Sequence, residues 1–153
     1  MTAYLVSVIL PNYNNGNVIR YAIDSVLEQT YANLELIIVD DASPDETFDY
    51  ITRLANNDSR IKAIRLEENG GTYVAKNHGL LQAKGRYVTF HDSDDWCHQD
   101  KLKIQVKLLE NNKDLLGTTT GYIRVDENSN ITFAKEYSKS YLRYLFQINE
   151  ILG

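Results

Sequence analysis

Leu34-Glu35-Leu36-Ile37-Ile38-Val39-Asp40-Asp41 is the stretch from which the fold is read. Its unbroken apolar run, Leu36 to Val39, leaves no polar face, so the strand is buried on both sides, as in a parallel sheet covered by helices. The run stops at two carboxylates, which puts an acidic pair at the carboxyl end of the strand.

Upstream, Leu5 to Leu10 repeats the pattern and ends at Pro11-Asn12. Between these strands Val18, Ile19, Ala22, Ile23, Val26 and Leu27 recur at three- and four-residue spacing and predict a helix from Asn17. Downstream, Ser43-Pro44-Asp45-Glu46 offers an N-cap serine, a proline at the first helical position and a glutamate at the third, the signature of a capping box. Phe48, Ile51, Leu54 and Ala55 give that second helix its buried side. Ile61 to Leu66 reads as a third strand and Glu67-Glu68-Asn69-Gly70-Gly71 as a loop using glycine's wider backbone range. A third helix is expected from Thr72 to Ala83. Arg86 to Phe90 reads as a fourth strand running into His91-Asp92-Ser93-Asp94-Asp95-Trp96, and Leu102, Val106 and Leu109 mark a further helix.

Strands alternating with helices need crossover connections, which are right-handed in parallel sheets. The predicted fold class is therefore α/β: an open, mainly parallel, twisted sheet with helices on both faces. Beyond Gly117 a small β hairpin is expected, Tyr122 to Val125 and Ile131 to Ala134 flanking Asn128-Ser129-Asn130. The tail from Tyr141 to Leu152 carries the apolar content of a helix packed on a neighbouring surface. No repeat, low-complexity tract or Pro/Gly-rich linker divides the chain, so one domain is expected over residues 1–153, and its abrupt end at Gly153 is read as truncation.

Composition narrows the partners. At 153 residues with 43% hydrophobic and 24% charged residues, the chain can bury one substantial core. A net charge of -5 supplies no positive field for a phosphate backbone, so nucleic acid is not an expected partner. Cys97 is the single cysteine, which excludes an internal disulfide or a thiolate metal cluster within one chain and fits a reducing compartment. No run approaches the roughly 20 apolar residues of a spanning helix, so any membrane contact is expected to be peripheral or supplied by absent sequence.

Ligands of open α/β sheets bind beyond the carboxyl ends of the strands. Polar clusters fall at each such end: Asn12-Tyr13-Asn14, Asp40-Asp41, Asn69-Gly70-Gly71 and Asp92 to Asp95. The last places three carboxylates in four residues. Two unit charges about 4 Å apart repel by roughly 4 kcal/mol at an effective dielectric of about 20. Mn²⁺ or Mg²⁺ offsets such repulsion, and Mg²⁺ sites commonly join one or two carboxylates to substrate phosphates. The competing reading has these aspartates cap the helix around Gln99 to Leu109 or line a solvated turn, and the residues alone do not choose. Trp96 either closes over a ligand or, the commoner role for tryptophan, joins the core. Asp40-Asp41 is a solvated loop or a partner for a nucleoside, and Lys76 meets a diphosphate or faces solvent. His78 and His91, each without a second histidine at ligand spacing, read as structural.

Taken together, these segments resemble the family 2 glycosyltransferases, which have the GT-A, Rossmann-like nucleotide-diphospho-sugar fold. The resemblance is carried by Val6 to Asn14, Ser25 to Tyr31, Glu35 to Ser43, Asn69-Gly70-Gly71, Ala75 to Gly79, Gly85 to Val88 and Asp92 to Asp95, in order. It implies that Pro11 and Tyr13 line a nucleoside pocket and that Asp41 hydrogen-bonds the base. Asp92-Ser93-Asp94 would be the family's Asp-X-Asp motif, with Asp94 the first choice as metal ligand and Asp92 near the ribose or the metal. Lys76 stands where many members carry arginine, so a bidentate clamp on the diphosphate becomes a point charge.

The resemblance also implies inverting transfer of a sugar from a nucleotide-diphospho-sugar, foremost a UDP-sugar, to a saccharide or lipid-linked acceptor, as in bacterial surface polysaccharide synthesis. Mn²⁺ or Mg²⁺ would act as a Lewis acid on the departing diphosphate. The carboxylate base is expected beyond Gly153, Asp126-Glu127 before the hairpin turn being a poor substitute. Residues 1–116 would then be the donor-binding core and residues 117–153 the start of an acceptor-side region. A cytoplasmic chain at the inner face of the membrane is expected, binding donor without much transfer on its own. Competing readings are a non-catalytic nucleotide-sugar-binding or assembly module, a phosphotransferase using Asp92 as nucleophile, and a dinucleotide oxidoreductase, which would need the Gly-x-Gly-x-x-Gly turn this first strand lacks.

Overall fold

The computed structural model describes residues 4–126, 128, 130–135 and 145–147. The elements run β1 (Val6–Asn12), α1 (Ile19–Leu27), β2 (Leu34–Asp40), α2 (Thr47–Asn57), β3 (Ile61–Arg65), α3 (Thr72–Gln82), β4 (Tyr87–Phe90) and α4 (Lys101–Asn111). Four short strands follow: β5 (Gly117–Thr118), β6 (Tyr122–Val125), β7 (Ile131–Lys135) and β8 (Leu145–Gln147).

The main sheet has the order β3-β2-β1-β4-β8-β5. Its first four strands are parallel, whereas β8 runs antiparallel to both β4 and β5. The expected open, mainly parallel sheet is thus present, with an antiparallel edge. Alternation along the buried strands sorts side chains between two layers. Val6, Val8 and Leu10 of β1 and Leu36 and Ile38 of β2 share one core with Ile23 and Val26 of α1, Ile51 of α2 and Leu102, Val106 and Leu109 of α4. Ile37 and Val39 point the other way and pack with Ala75 of α3. Helices therefore cover both faces, as the apolar runs require.

β1 is longer than its apolar run, continuing through Pro11 to Asn12. β4 pairs with β1 only as far as Phe90 opposite Ile9, so the proline falls where that neighbour has ended and no ladder hydrogen bond is lost. The same mismatch in length opens the sheet between β1 and β4.

Two expectations need correction. The capping box does not form: α2 starts at Thr47, Glu46 at the cap position makes no side-chain cap bond, and Ser43 Oγ bonds instead to Asp40 Oδ1 at 2.5 Å. The hydroxyl donates its proton to that carboxylate and turns its lone pairs to the Asn14 amide at 2.9 Å and Asn12 Nδ2 at 3.3 Å rather than to the helix amides. In the tail expected to be helical, Leu145–Gln147 is strand β8, because the edge of β4 offers unpaired backbone groups there. The rest of residues 141–152 lies outside the described residues.

The expected hairpin is β6-β7. Asp126 Oδ1 accepts the amides of Asn128 and Asn130, each at 2.9 Å, which fixes its turn. Among the described residues no helix is long and apolar enough to cross a membrane.

Candidate functional site

Strand order reverses at β1, which sits between β2 and β4, the switch point at which open α/β sheets bind ligands. A cleft of about 380 Å³ lies there, within the usual size range of ligand sites. Pro11, Asn12, Tyr13 and Asn15 line it from the end of β1, Asp41 from β2, Thr72 and Ala75 from the start of α3, and Asp92, Ser93 and Asp94 from the segment after β4. The α3 N-terminus brings its unpaired amides and positive dipole end to this cleft, an arrangement suited to an anionic group.

The acidic pair at the end of β2 divides its labour. Asp40 is fully buried and structural: it accepts Asn12 Nδ2 at 2.9 Å, Ser43 N at 3.0 Å and Ser43 Oγ, with Arg65 Nε 3.8 Å away. These bonds knit the ends of β1, β2 and β3 together. Asp41 points to the cleft, and its two oxygens accept the amides of Gly70 at 2.9 Å and Gly71 at 2.7 Å. Each oxygen keeps a further lone pair for a ligand donor. The chain turns just after this pair, with Ala42 at φ 59° in the left-handed region.

The acidic segment is anchored where β4 ends. His91 N donates to Ile9 O at 2.9 Å, Asn15 Nδ2 donates to Ser93 Oγ at 2.7 Å, and Asp95 N closes a turn on Asp92 O at 3.0 Å. Asp92 faces Lys76 of α3, whose Nζ lies 2.7 Å from Oδ1. That oxygen is buried and has no hydrogen-bond partner, so its compensation is ionic only. Asp94 is exposed at the cleft.

No group of three or more His, Cys, Asp or Glu side chains encloses a cation site among the described residues. Two carboxylates at one cleft wall still fit an ion whose remaining ligands come from substrate phosphates and water. The capping alternative fails, because α4 begins at Lys101, well after Asp95, and Asp100 at its cap position accepts Thr30 Oγ1 instead.

Pro11, Tyr13, Asp41, Asp92 and Asp94 therefore meet at one cleft, and Lys76 joins them through Asp92. Trp96 is 68% exposed, so the core role expected for it is not taken. His91 is buried, and burial, with Lys101 adding to it, brings its pKa down to about 4, which keeps the ring neutral as a structural histidine should be. Asn15 and Thr72 escaped sequence reading. Thr72 could have been found as the first residue after the Gly70-Gly71 loop, but no spacing rule points to Asn15.

The sequence matches the model of the family described as Glycosyl transferase family 2 over residues 7–151. It is 47% identical over 105 residues to the putative teichuronic acid biosynthesis glycosyltransferase TuaG of Bacillus subtilis (strain 168), covering 69% of this chain and 42% of that protein. To the Escherichia coli UDP-Glc:alpha-D-GlcNAc-diphosphoundecaprenol beta-1,3-glucosyltransferase WfaP it is 40% identical over 122 residues, covering 80% of this chain and 48% of that one. Among solved structures, mannosyltransferase PcManGT from Pyrobaculum calidifontis, in complex with GDP-Man and Mn²⁺, matches with a TM-score of 0.70 at 30% identity, covering 80% of this chain and 36% of its own. The chain spans less than half the length of each of these three proteins.

Proposed function

The chain belongs to glycosyl transferase family 2, and on that footing we propose that its cleft binds a nucleotide-diphospho-sugar, foremost a UDP-sugar, for inverting transfer to a saccharide or lipid-linked acceptor in bacterial surface polysaccharide synthesis. The observation that carries the reading is the convergence of Pro11, Tyr13, Asp41, Asp92 and Asp94 on one cleft at the strand-order reversal. Relatives supply the donor and acceptor classes: WfaP is named for UDP-Glc and a diphosphoundecaprenol acceptor, and PcManGT was solved with GDP-Man.

In this reading Pro11 and Tyr13 form the apolar walls against the nucleoside, and Asp41 accepts a base N–H while the Gly70 and Gly71 amides keep its carboxylate in place. Asp94 and Asp92 hold Mn²⁺ or Mg²⁺, the ion carried by PcManGT being Mn²⁺. When bound, that ion supplies Lewis-acid stabilisation to the departing diphosphate. Lys76, freed from Asp92, places its ammonium toward the diphosphate, and the α3 amides add partial positive charge. An acceptor oxygen attacks the anomeric carbon as the bond to the diphosphate breaks, and a carboxylate base takes the acceptor proton.

Asp126 is a poor substitute for that base, since its carboxylate accepts the hydrogen bonds of the hairpin turn. The donor role falls to residues 1–116, the acceptor side begins with residues 117–153, and the chain works in the cytoplasm at the inner face of the membrane. Isothermal calorimetry with UDP, UDP-glucose and GDP, with and without Mn²⁺, tests the reading. Mn²⁺-dependent binding of a nucleoside diphosphate is expected; heats indistinguishable from buffer for all three ligands would refute it.

A further inference from the structure

The last turn of α1 holds the acidic segment at both ends. Ser25 Oγ lies 3.4 Å from His91 Nε2, just before Asp92, and accepts the Cys97 amide at 3.3 Å, just after Trp96. Ser25 is itself fixed, donating its proton to Ala22 O at 2.9 Å. Just beyond the end of α1, Gln29 Nε2 donates to His98 O at 2.8 Å and to Ser25 O at 3.1 Å, while Gln29 Oε1 accepts the Leu102 amide at 3.0 Å. Thr30 N adds a bond to Gln99 O at 2.8 Å.

Both side chains are buried, where hydrogen bonds are less diluted by water than at the surface. Asp94 and Trp96 between the two anchors are exposed. The shape of the segment is therefore set from its stems.

We infer that Ser25 and Gln29 are positioning residues for cation and donor binding, acting through the acidic segment whose two stems they hold. The inference rests on the assignment of Asp92 and Asp94 to the cation. Partners that orient metal ligands typically influence affinity by about 10- to 100-fold, and α1 supplies that support here through the stems, leaving the nucleoside wall of Pro11, Tyr13 and Asp41 untouched.

Ser25→Ala and Gln29→Leu, with Ser25→Thr as the conservative control, test it in the full chain. Trp96 is the single tryptophan and lies in the segment, so its fluorescence anisotropy decay reports loop motion with no cation present. Faster Trp96 depolarisation is expected in Ser25→Ala and Gln29→Leu, with Mn²⁺ affinity by electron paramagnetic resonance reduced about tenfold or more. Metal-free uridine affinity and far-ultraviolet circular dichroism should stay unchanged, and Ser25→Thr should restore Mn²⁺ binding. Unaltered anisotropy and Mn²⁺ affinity in both variants would overturn the inference, as would parallel losses of uridine and Mn²⁺ binding. A wild-type chain that binds no Mn²⁺ would instead overturn the cation assignment, and Trp96 would still decide whether α1 holds the segment.

Discussion

Lys76 Nζ stands 2.7 Å from Asp92 Oδ1, so α3 lends a positive charge to the acidic segment across the cleft. The pair is partly exposed, which limits its worth to about 1 kcal/mol after solvent screening. Its consequence is competition, since a divalent ion at Asp92 must displace the ammonium. Lys76→Gln should therefore bind Mn²⁺ alone about fivefold more tightly, while metal-free UDP, deprived of a cation near its diphosphate, binds more weakly. Electron paramagnetic resonance titration and calorimetry measure the two effects, and a loss of Mn²⁺ affinity would contradict the competition.

Asp41 joins β2 to the glycine loop before α3 and faces the proposed nucleoside. Asp41→Ala leaves the Gly70 and Gly71 amides without their acceptor, a cost of about 1–3 kcal/mol in stability. Uridine affinity should fall at least about tenfold, in line with the roughly 1.5–3 kcal/mol of a hydrogen bond to a charged group. Urea denaturation and calorimetry check both. Unchanged uridine binding in a folded variant would remove Asp41 from the site.

Most of this arrangement is legible in the sequence because buried parallel strands leave a distinctive run of apolar residues and their carboxyl ends are marked by abrupt polarity. Leu34 to Asp41 alone locates a strand and an acidic pair at its tip. The different tasks of Asp40 and Asp41 are not legible, because they depend on which side of the pleat each residue leaves and on Asn12, Ser43 and Gly70, which the fold brings together. Ser43 illustrates the limit: its local sequence spells a helix cap, yet its hydroxyl donates to Asp40 and accepts from Asn14 and Asn12, which the fold brings beside it. The β8 strand is likewise invisible locally, since its pairing with β4 joins residues far apart in sequence.

Ala42 holds a φ of 59°, where a Cβ is strained by about 1–2 kcal/mol. Glycine removes that strain and returns part of the gain as unfolded-state entropy. Ala42→Gly should raise stability by about 0.5–1 kcal/mol, a few degrees in Tm. Calorimetric melting checks it, and a lower Tm would mean the methyl contributes packing that outweighs the strain.

Gly79 lets α3 lie close on the sheet: a Cβ there would come 2.4 Å from Ile9 Cγ2 and 3.3 Å from Val39 Cγ2. Both partners belong to buried strands and have little room to retreat. Gly79→Ala should therefore destabilise by about 1–3 kcal/mol in spite of alanine's better helix propensity, and should shift the α3 N-terminus relative to Asp92. A urea midpoint at or above that of the wild type would show that the layers can separate freely.

His91 links stability to pH with a definite sign. Burial first, then the charge of Lys101, lowers its folded-state pKa from 6.5 to about 4. Above pH 6.5 both folded and unfolded chains carry it neutral, and no penalty exists. As pH falls from there, the unfolded chain takes up a proton that the folded chain refuses, so stability drops by up to about 1.4 kcal/mol per pH unit and by roughly 3 kcal/mol near pH 4. His91→Gln removes this contribution while leaving the carboxylates common to both chains. Urea denaturation at pH 7, 6 and 5 in the presence of a chelator should therefore give a steeper loss in the wild type than in the variant. Equal slopes would mean that the folded chain accepts the proton after all, and that the contact between His91 and Ser25 holds the charged ring as readily as the neutral one.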